Sequence, residues 1–175
     1  MADENFGIVV HGGAGVLSNL SYEQQQKIEQ KVSETVLSAY EIIKNGGTSL
    51  DAVEFAVSEL EDSPLFNAGR GAVYSFDEVQ EMDASIMSGL DRSAGAVASV
   101  KIVKNPIKLA RKVLEETEHV LLVSDGAESF AKTIGVQVVD PSYFHSDKNL
   151  KRLRKVKNKI SHNTLVQDKI GTVGA

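Results

Sequence analysis

Chemistry begins with side chains that can move a proton, attack a carbonyl or hold an ion, and the sequence offers a few. His11-Gly12-Gly13-Ala14-Gly15 follows a short apolar run. Such a loop can turn backbone N–H groups toward an anion, but it lacks the Lys-Ser/Thr of a phosphate loop and the spacing of a dinucleotide fingerprint. The plainer alternative is a tight glycine turn with a hydrogen-bonded histidine, and local sequence favours it. Ser129 and Lys132 have Ser-x-x-Lys spacing inside a helical segment, a chance match by its context. Asp83 and Asp125 could act as bases, yet neither has a carboxylate or histidine partner nearby in sequence, which points to structural roles. The histidines at 11, 119, 145 and 162 do not have metal-ligand spacing.

The elements that must position these groups are legible from periodicity. Phe6–Val10 reads as a buried strand stopped by the glycine turn. Ser21 and Gln24 have capping-box spacing ahead of a stripe at Ile28, Val32, Val36, Ala39 and Ile43. Thr48 and Asp51 repeat the signal before a second helix with Leu50, Val53, Val57 and Leu60 on one face. Residues 64–72 form a loop whose glycines allow close backbone approach. Ala72–Ser75, Gln80–Met87 and Ala94–Val103 read as strands. Asn105-Pro106 should open a helix over Ile107–Glu116, with Asn as cap and Pro at the first helical position. A strand at His119–Val123 and a helix at Ala127–Ile134 follow. The order predicts an α+β fold, a sheet covered by helices on one face.

Length suits one compact domain, and 42% hydrophobic with 25% charged residues is ordinary globular composition. There is no cysteine, so disulfides and thiolate metal sites are excluded. The acidic start Met1-Ala2-Asp3-Glu4-Asn5 does not look like a secretory leader, and a cytoplasmic location without membrane insertion is the expectation. Residues 148–175 carry eight Lys/Arg against one Asp, or +7; taking that from the net −5 leaves −12 on the first 147. An acidic body argues against nucleic-acid binding and leaves the basic stretch 148–159 as the one polyanion contact to consider. A solvated linker over 146–170, containing at most a helical turn or two, is the preferred reading.

One combination of segments is far more specific than its parts. His11–Gly15, Phe66-Asn67-Ala68-Gly69-Arg70-Gly71, Glu81–Met87, Ser93-Ala94-Gly95-Ala96-Val97 and Asn105-Pro106-Ile107 occur in that order, and Gly171-Thr172-Val173-Gly174-Ala175 closes the chain. This pattern resembles the plant-type L-asparaginase/isoaspartyl peptidase family of N-terminal-nucleophile hydrolases, over about residues 6–145 and again at 169–175. The resemblance implies an αββα sandwich with two stacked sheets, incomplete here. Residues 1–145 would be its first-subunit part, 146–170 the linker, and 171–175 the self-cleavage site with the first residues of a second subunit. It further implies hydrolysis of L-asparagine and β-aspartyl dipeptides. Cleavage between Gly171 and Thr172 would free Thr172 as nucleophile, with Asn67 ordering it and the loop at His11, Gly12 and Gly13 influencing the cut.

The physical logic is that a threonine hydroxyl needs a base. An α-amine, with an ordinary pKa of about 7.7–8.0, is such a base one residue away, but only after the bond is cut. The resemblance also implies a structural sodium ion held by the backbone carbonyls of Leu60, Glu61, Ser63, Phe66, Ala68 and Arg70, and no other cofactor. Local sequence alone would make Asn67 an Asx-turn residue. A complementary β subunit would supply the oxyanion hole and substrate anchors and complete an (αβ)2 heterotetramer. By itself, this stretch should be close to inactive, and a fragment that acts only by binding a partner chain is the alternative.

Overall fold

In the computed structural model, residues 6–13, 20–161 and 172–175 are described. Helix α1 (Tyr22–Lys44) and helix α2 (Ser49–Glu61) both start on complete capping boxes, Ser21/Gln24 and Thr48/Asp51. Each box satisfies two free N–H groups. The two helices pack together through Ala39, Ala52 and Ala56, with Ile8 and Val10 against them.

Strand β1 (Met82–Met87) alternates Met82 and Ile86 inward with Asp83, Ser85 and Met87 outward, the period of two expected of a half-covered sheet. It runs antiparallel to β2 (Ala94–Val100), which in turn lies parallel to β3 (Leu121–Val123). Helix α3 (Pro106–Glu116) is the crossover. A Cβ on Gly95 would stand 2.2 Å from the Ala110 carbonyl oxygen, so only glycine lets α3 press so closely on β2. Ile107, Leu109, Ala110 and Val113 then join Val97, Val100 and Ile86 in the main core, closed by Phe144 and by helix α4 (Ser124–Thr133) through Ala127 and Ala131.

The architecture is α+β, and one three-stranded sheet is formed among the described residues. Three elements depart from the sequence expectations. Phe6–Val10 forms no strand: its pairing is a single antiparallel bridge at His11–Gly174, and Val9 is 82% exposed. Ala72–Ser75 is not a strand either: at its start, side-chain amides rather than a neighbouring backbone take the carbonyls of Ala72 and of Gly71 before it. Residues 147–161, expected as a turn or two within a linker, form the 15-residue helix α5 (Asp147–Ser161). Arg154 and Lys157 reach Glu78 at 2.9 and 3.3 Å, so a far acidic partner turns a polar stretch into a docked helix. Residues 162–170 lie outside the described part.

Helix α4 follows β3 without a spacer, and the reversal puts Ser124 at φ 48°. A left-handed L-residue costs roughly 1–2 kcal/mol. Ser124→Gly should therefore stabilise the chain by about 1 kcal/mol and raise Tm by roughly 2–4 °C in thermal melts. An unchanged or lowered Tm would show that the serine side chain compensates the strain.

Candidate active site

The site is assembled around a turn that leaves the end of α2. Beyond Glu61 the chain passes Ser63 and Phe66, both buried, into a 3₁₀ turn at Gly69–Gly71. Gly69 has φ 47°, and a Cβ there would lie 2.2 Å from the Glu61 carbonyl oxygen; one on Gly71 would lie 1.8 Å from that of Phe66. The loop thus folds its carbonyls over two glycines, in a space that side chains would fill. Leu60 O and Ala68 O each accept one backbone N–H, from Ser63 at 3.2 Å and Gly71 at 2.9 Å. A carbonyl oxygen has two lone pairs, so each retains capacity for a hard cation. Main-chain oxygens are the donor type such ions take. The exposed Arg70 lies with its guanidinium 5.4 Å over the Tyr143 ring.

Asn67 is half-buried, and its side-chain oxygen accepts the Val73 N–H at 3.0 Å. This bond spans six residues, so it is not the Asx turn that local sequence suggests. The other half of the site arrives from the end of the chain. His11 and Gly174 exchange two backbone bonds, His11 N–H to Gly174 O at 2.7 Å and Gly174 N–H to His11 O at 3.0 Å. The Gly13 N–H donates to His11 Nδ1 at 3.2 Å, which satisfies that group within the turn itself. Gly12 sits against Phe66 and Val32, 3.1 and 3.2 Å from where a Cβ would stand.

These contacts bring Thr172 and Asn67 to one cavity of about 930 Å³, which is also lined by Val53, Glu61, Gly69, Asp83 and Ile107. Thr172 is exposed to it. Gly171 lies outside the described residues, so the bond before Thr172 is placed by its second residue alone.

Of the other sequence candidates, Asp83 lines the same cavity, but its Oδ1 accepts the Ser99 N–H at 2.8 Å across a bulge in the β1–β2 pair, a structural role. Asp125 is an acidic residue in the first turn of α4, and Ser129 and Lys132 sit exposed on the same helix. Among the described residues, three or more His, Asp or Glu side chains nowhere gather as a metal cluster.

One buried carboxyl in the cavity lining has no counterpart in the sequence analysis. Glu61 is 3% exposed, and its Oε1 accepts the Ile107 N–H at 3.1 Å, closing the start of α3. Asn105, the expected cap, makes no side-chain cap bond and instead donates to Asp62 Oδ1 at 3.2 Å. Oε2 of Glu61 has no hydrogen-bond partner among the described residues. Burial pushes the Glu61 carboxyl up to about 8, against the downward pull of the Ile107 N–H.

A family model described as asparaginase matches residues 4–175. The chain belongs to the asparaginase family. Its family relatives include an isoaspartyl peptidase/L-asparaginase of Homo sapiens, 44% identical over 169 residues, covering 96% of this chain and 54% of the relative. A plant-type L-asparaginase of Pyrococcus furiosus is 49% identical over 148 residues, covering 85% of this chain and 47% of the relative. The chain therefore spans about half the length of these curated relatives. Among the described residues, no helix is long and apolar enough to cross a membrane.

The raised Glu61 carboxyl makes stability depend on pH. Neutral Glu61 contributes stability that is whole below its unfolded value of 4.5 and is lost as pH rises through about 8. Glu61→Gln removes that proton. In sodium-free buffer the Tm difference, wild type minus variant, should fall as pH climbs between about 4.5 and 8. A difference independent of pH would show that the carboxyl is ionised in the fold.

Proposed function

We propose that this chain forms the first half of a self-cleaving threonine amidohydrolase acting on L-asparagine and β-aspartyl dipeptides. The observation that carries the reading is the shared cavity of Thr172 and Asn67, with the segment after Thr172 pinned to His11 by two backbone bonds. Names of family relatives that pair isoaspartyl peptidase with L-asparaginase support the substrate class.

In the uncut chain, Thr172 Oγ attacks the Gly171 carbonyl carbon. The C–N bond breaks, the hydroxyl proton ends on the departing nitrogen, and an ester joins Gly171 to Oγ. Water hydrolyses the ester, leaving a Gly171 carboxylate and restoring the hydroxyl beside a free α-amine. Glycine before the bond suits the attack, since it hinders least and tolerates strain. In turnover, the amine takes the Oγ proton while Oγ attacks the substrate's side-chain amide. Ammonia, or the amine of a dipeptide, leaves with that proton. Water then releases aspartate from the acyl-threonine. A positioned base of this kind is worth roughly 10²–10⁴ in rate.

Asn67, fixed through the Val73 N–H, orders the nucleophile. A complementary β subunit contributes the oxyanion donors, a term of about 10²–10³ per donor, together with the groups that hold the substrate's α-carboxylate and α-amine. That subunit completes an αββα sandwich in which the β1–β2–β3 sheet is part of one layer, and two such pairs form an (αβ)2 assembly. Carbonyls of Leu60, Glu61, Ser63, Phe66, Ala68 and Arg70 would hold a sodium ion, which would stiffen the turn on either side of Asn67. The cysteine-free composition suits work in the cytoplasm.

Residues 1–171 co-expressed with a family second subunit that starts at threonine should release ammonia from asparagine. Asn67→Ala in that complex should cost about 10²-fold in kcat, the scale expected for a misplaced reacting group. A stable complex that releases no ammonia would overturn the proposal.

A further inference from the structure

The segment that leaves the 3₁₀ turn at Gly71 carries the N–H that fixes Asn67, yet residues 72–74 belong to no helix or strand. The carbonyls of Gly71 and Ala72 are held by side chains from two distant places. Gln80 Nε2 donates to Ala72 O at 2.7 Å and to Phe144 O at 2.7 Å. Asn149 Nδ2, in the first turn of α5, donates to Gly71 O at 3.0 Å and to Ala72 O at 3.2 Å. Both lone pairs of Ala72 O are thereby used, and two carboxamides stand where a neighbouring strand would otherwise be. Tyr74 is clamped as well: its Oη accepts the Ser146 N–H at 3.2 Å and lies 2.9 Å from His145 Nδ1.

Helix α5 is itself anchored at its far half, through Arg154 and Lys157 on Glu78. It is also the last described element before Thr172. One amide therefore joins the helix that precedes the scissile bond to the segment that fixes Asn67.

We propose that Asn149 is a positioning residue: its side-chain NH2 grips the Gly71 and Ala72 carbonyls and so sets Asn67 opposite Thr172. The proposal rests on the reading of Thr172 as nucleophile and Asn67 as its neighbour. Asn149 touches neither substrate nor nucleophile; it acts through residues 71–73. Carbonyls that meet side-chain amides rather than a neighbouring backbone depend on those donors for their order, because each unmet carbonyl frees the segment to move.

Asn149→Asp keeps the size and removes the donors; Asn149→Ser removes the whole amide and is compatible with a first-turn position. Lys155→Ala, on the exposed side of the same helix, is the control. Two readouts decide. In residues 1–175, both Asn149 variants should shift the Asn67 side-chain amide resonances and speed exchange of the Val73 N–H by about tenfold, with other amides of the core unchanged. In the reconstituted enzyme both should lower kcat by about tenfold and leave KM within about twofold, the split expected when the nucleophile is misplaced and the binding groups are not. Lys155→Ala should leave both readouts unchanged.

Unmoved Asn67 resonances and Val73 exchange in both variants would overturn the proposal. So would exchange that rises equally throughout the core, because that marks general destabilisation. A wild-type complex without turnover would remove the nucleophile reading instead, and the exchange readout would still decide whether Asn149 holds the loop.

Discussion

Two backbone hydrogen bonds between His11 and Gly174 determine where the end of the chain lies. In extended backbone, alternate residues share a face, so fixing Gly174 fixes the side on which Thr172, two residues earlier, meets the cavity. The bonds involve main-chain atoms alone, and the glycines around His11 make room for them: Gly12 fits against Phe66 and Val32 with little space for a side chain. The register is therefore a property of the backbone. The histidine ring serves its own turn through the Gly13 N–H.

The opposing wall is built with similar economy. Gly69 and Gly71 let the turn after α2 fold carbonyl oxygens inward, and the buried Glu61 ties that turn to the start of α3. Asn67 then projects from a loop whose shape is set by carbonyl crowding on one side and by side-chain amides on the other. A neutral Glu61 lowers the electrostatic cost of burying a carboxyl. It leaves one oxygen without a partner among the described residues, a cost borne in the wall of the cavity.

Local rules made much of the fold legible. Both capping boxes form as Ser21/Gln24 and Thr48/Asp51 spell them, because each needs only residues three apart. The strands at Met82–Met87 and Ala94–Val100 and the start of α3 at Pro106 also follow from local pattern. Three of the failures share one cause, a partner far away in sequence. The α3 cap comes from Glu61, 46 residues before Ile107. Residues 72–75 look like a strand, yet Ala72 is held by Asn149, 77 residues on. The basic stretch became a full helix because Glu78 receives it.

Of the site, Thr172 and Asn67 came from resemblance. A threonine proposed to gain its base only when the preceding bond is cut has no local signature, and Asn67 bonds to a backbone group six residues away. The six proposed sodium carbonyls are equally silent in sequence, since any side chain carries one.

Self-cleavage requires the hydroxyl of Thr172 to cut the bond before it. The direct measurement is the intact mass of this chain joined at Thr172 to the C-terminal half of a relative, compared with its Thr172→Val form. The parent should give two pieces, ending at Gly171 and beginning at Thr172, and the variant a single uncut chain. Scission at the same bond with valine in place of threonine would contradict that role of the hydroxyl.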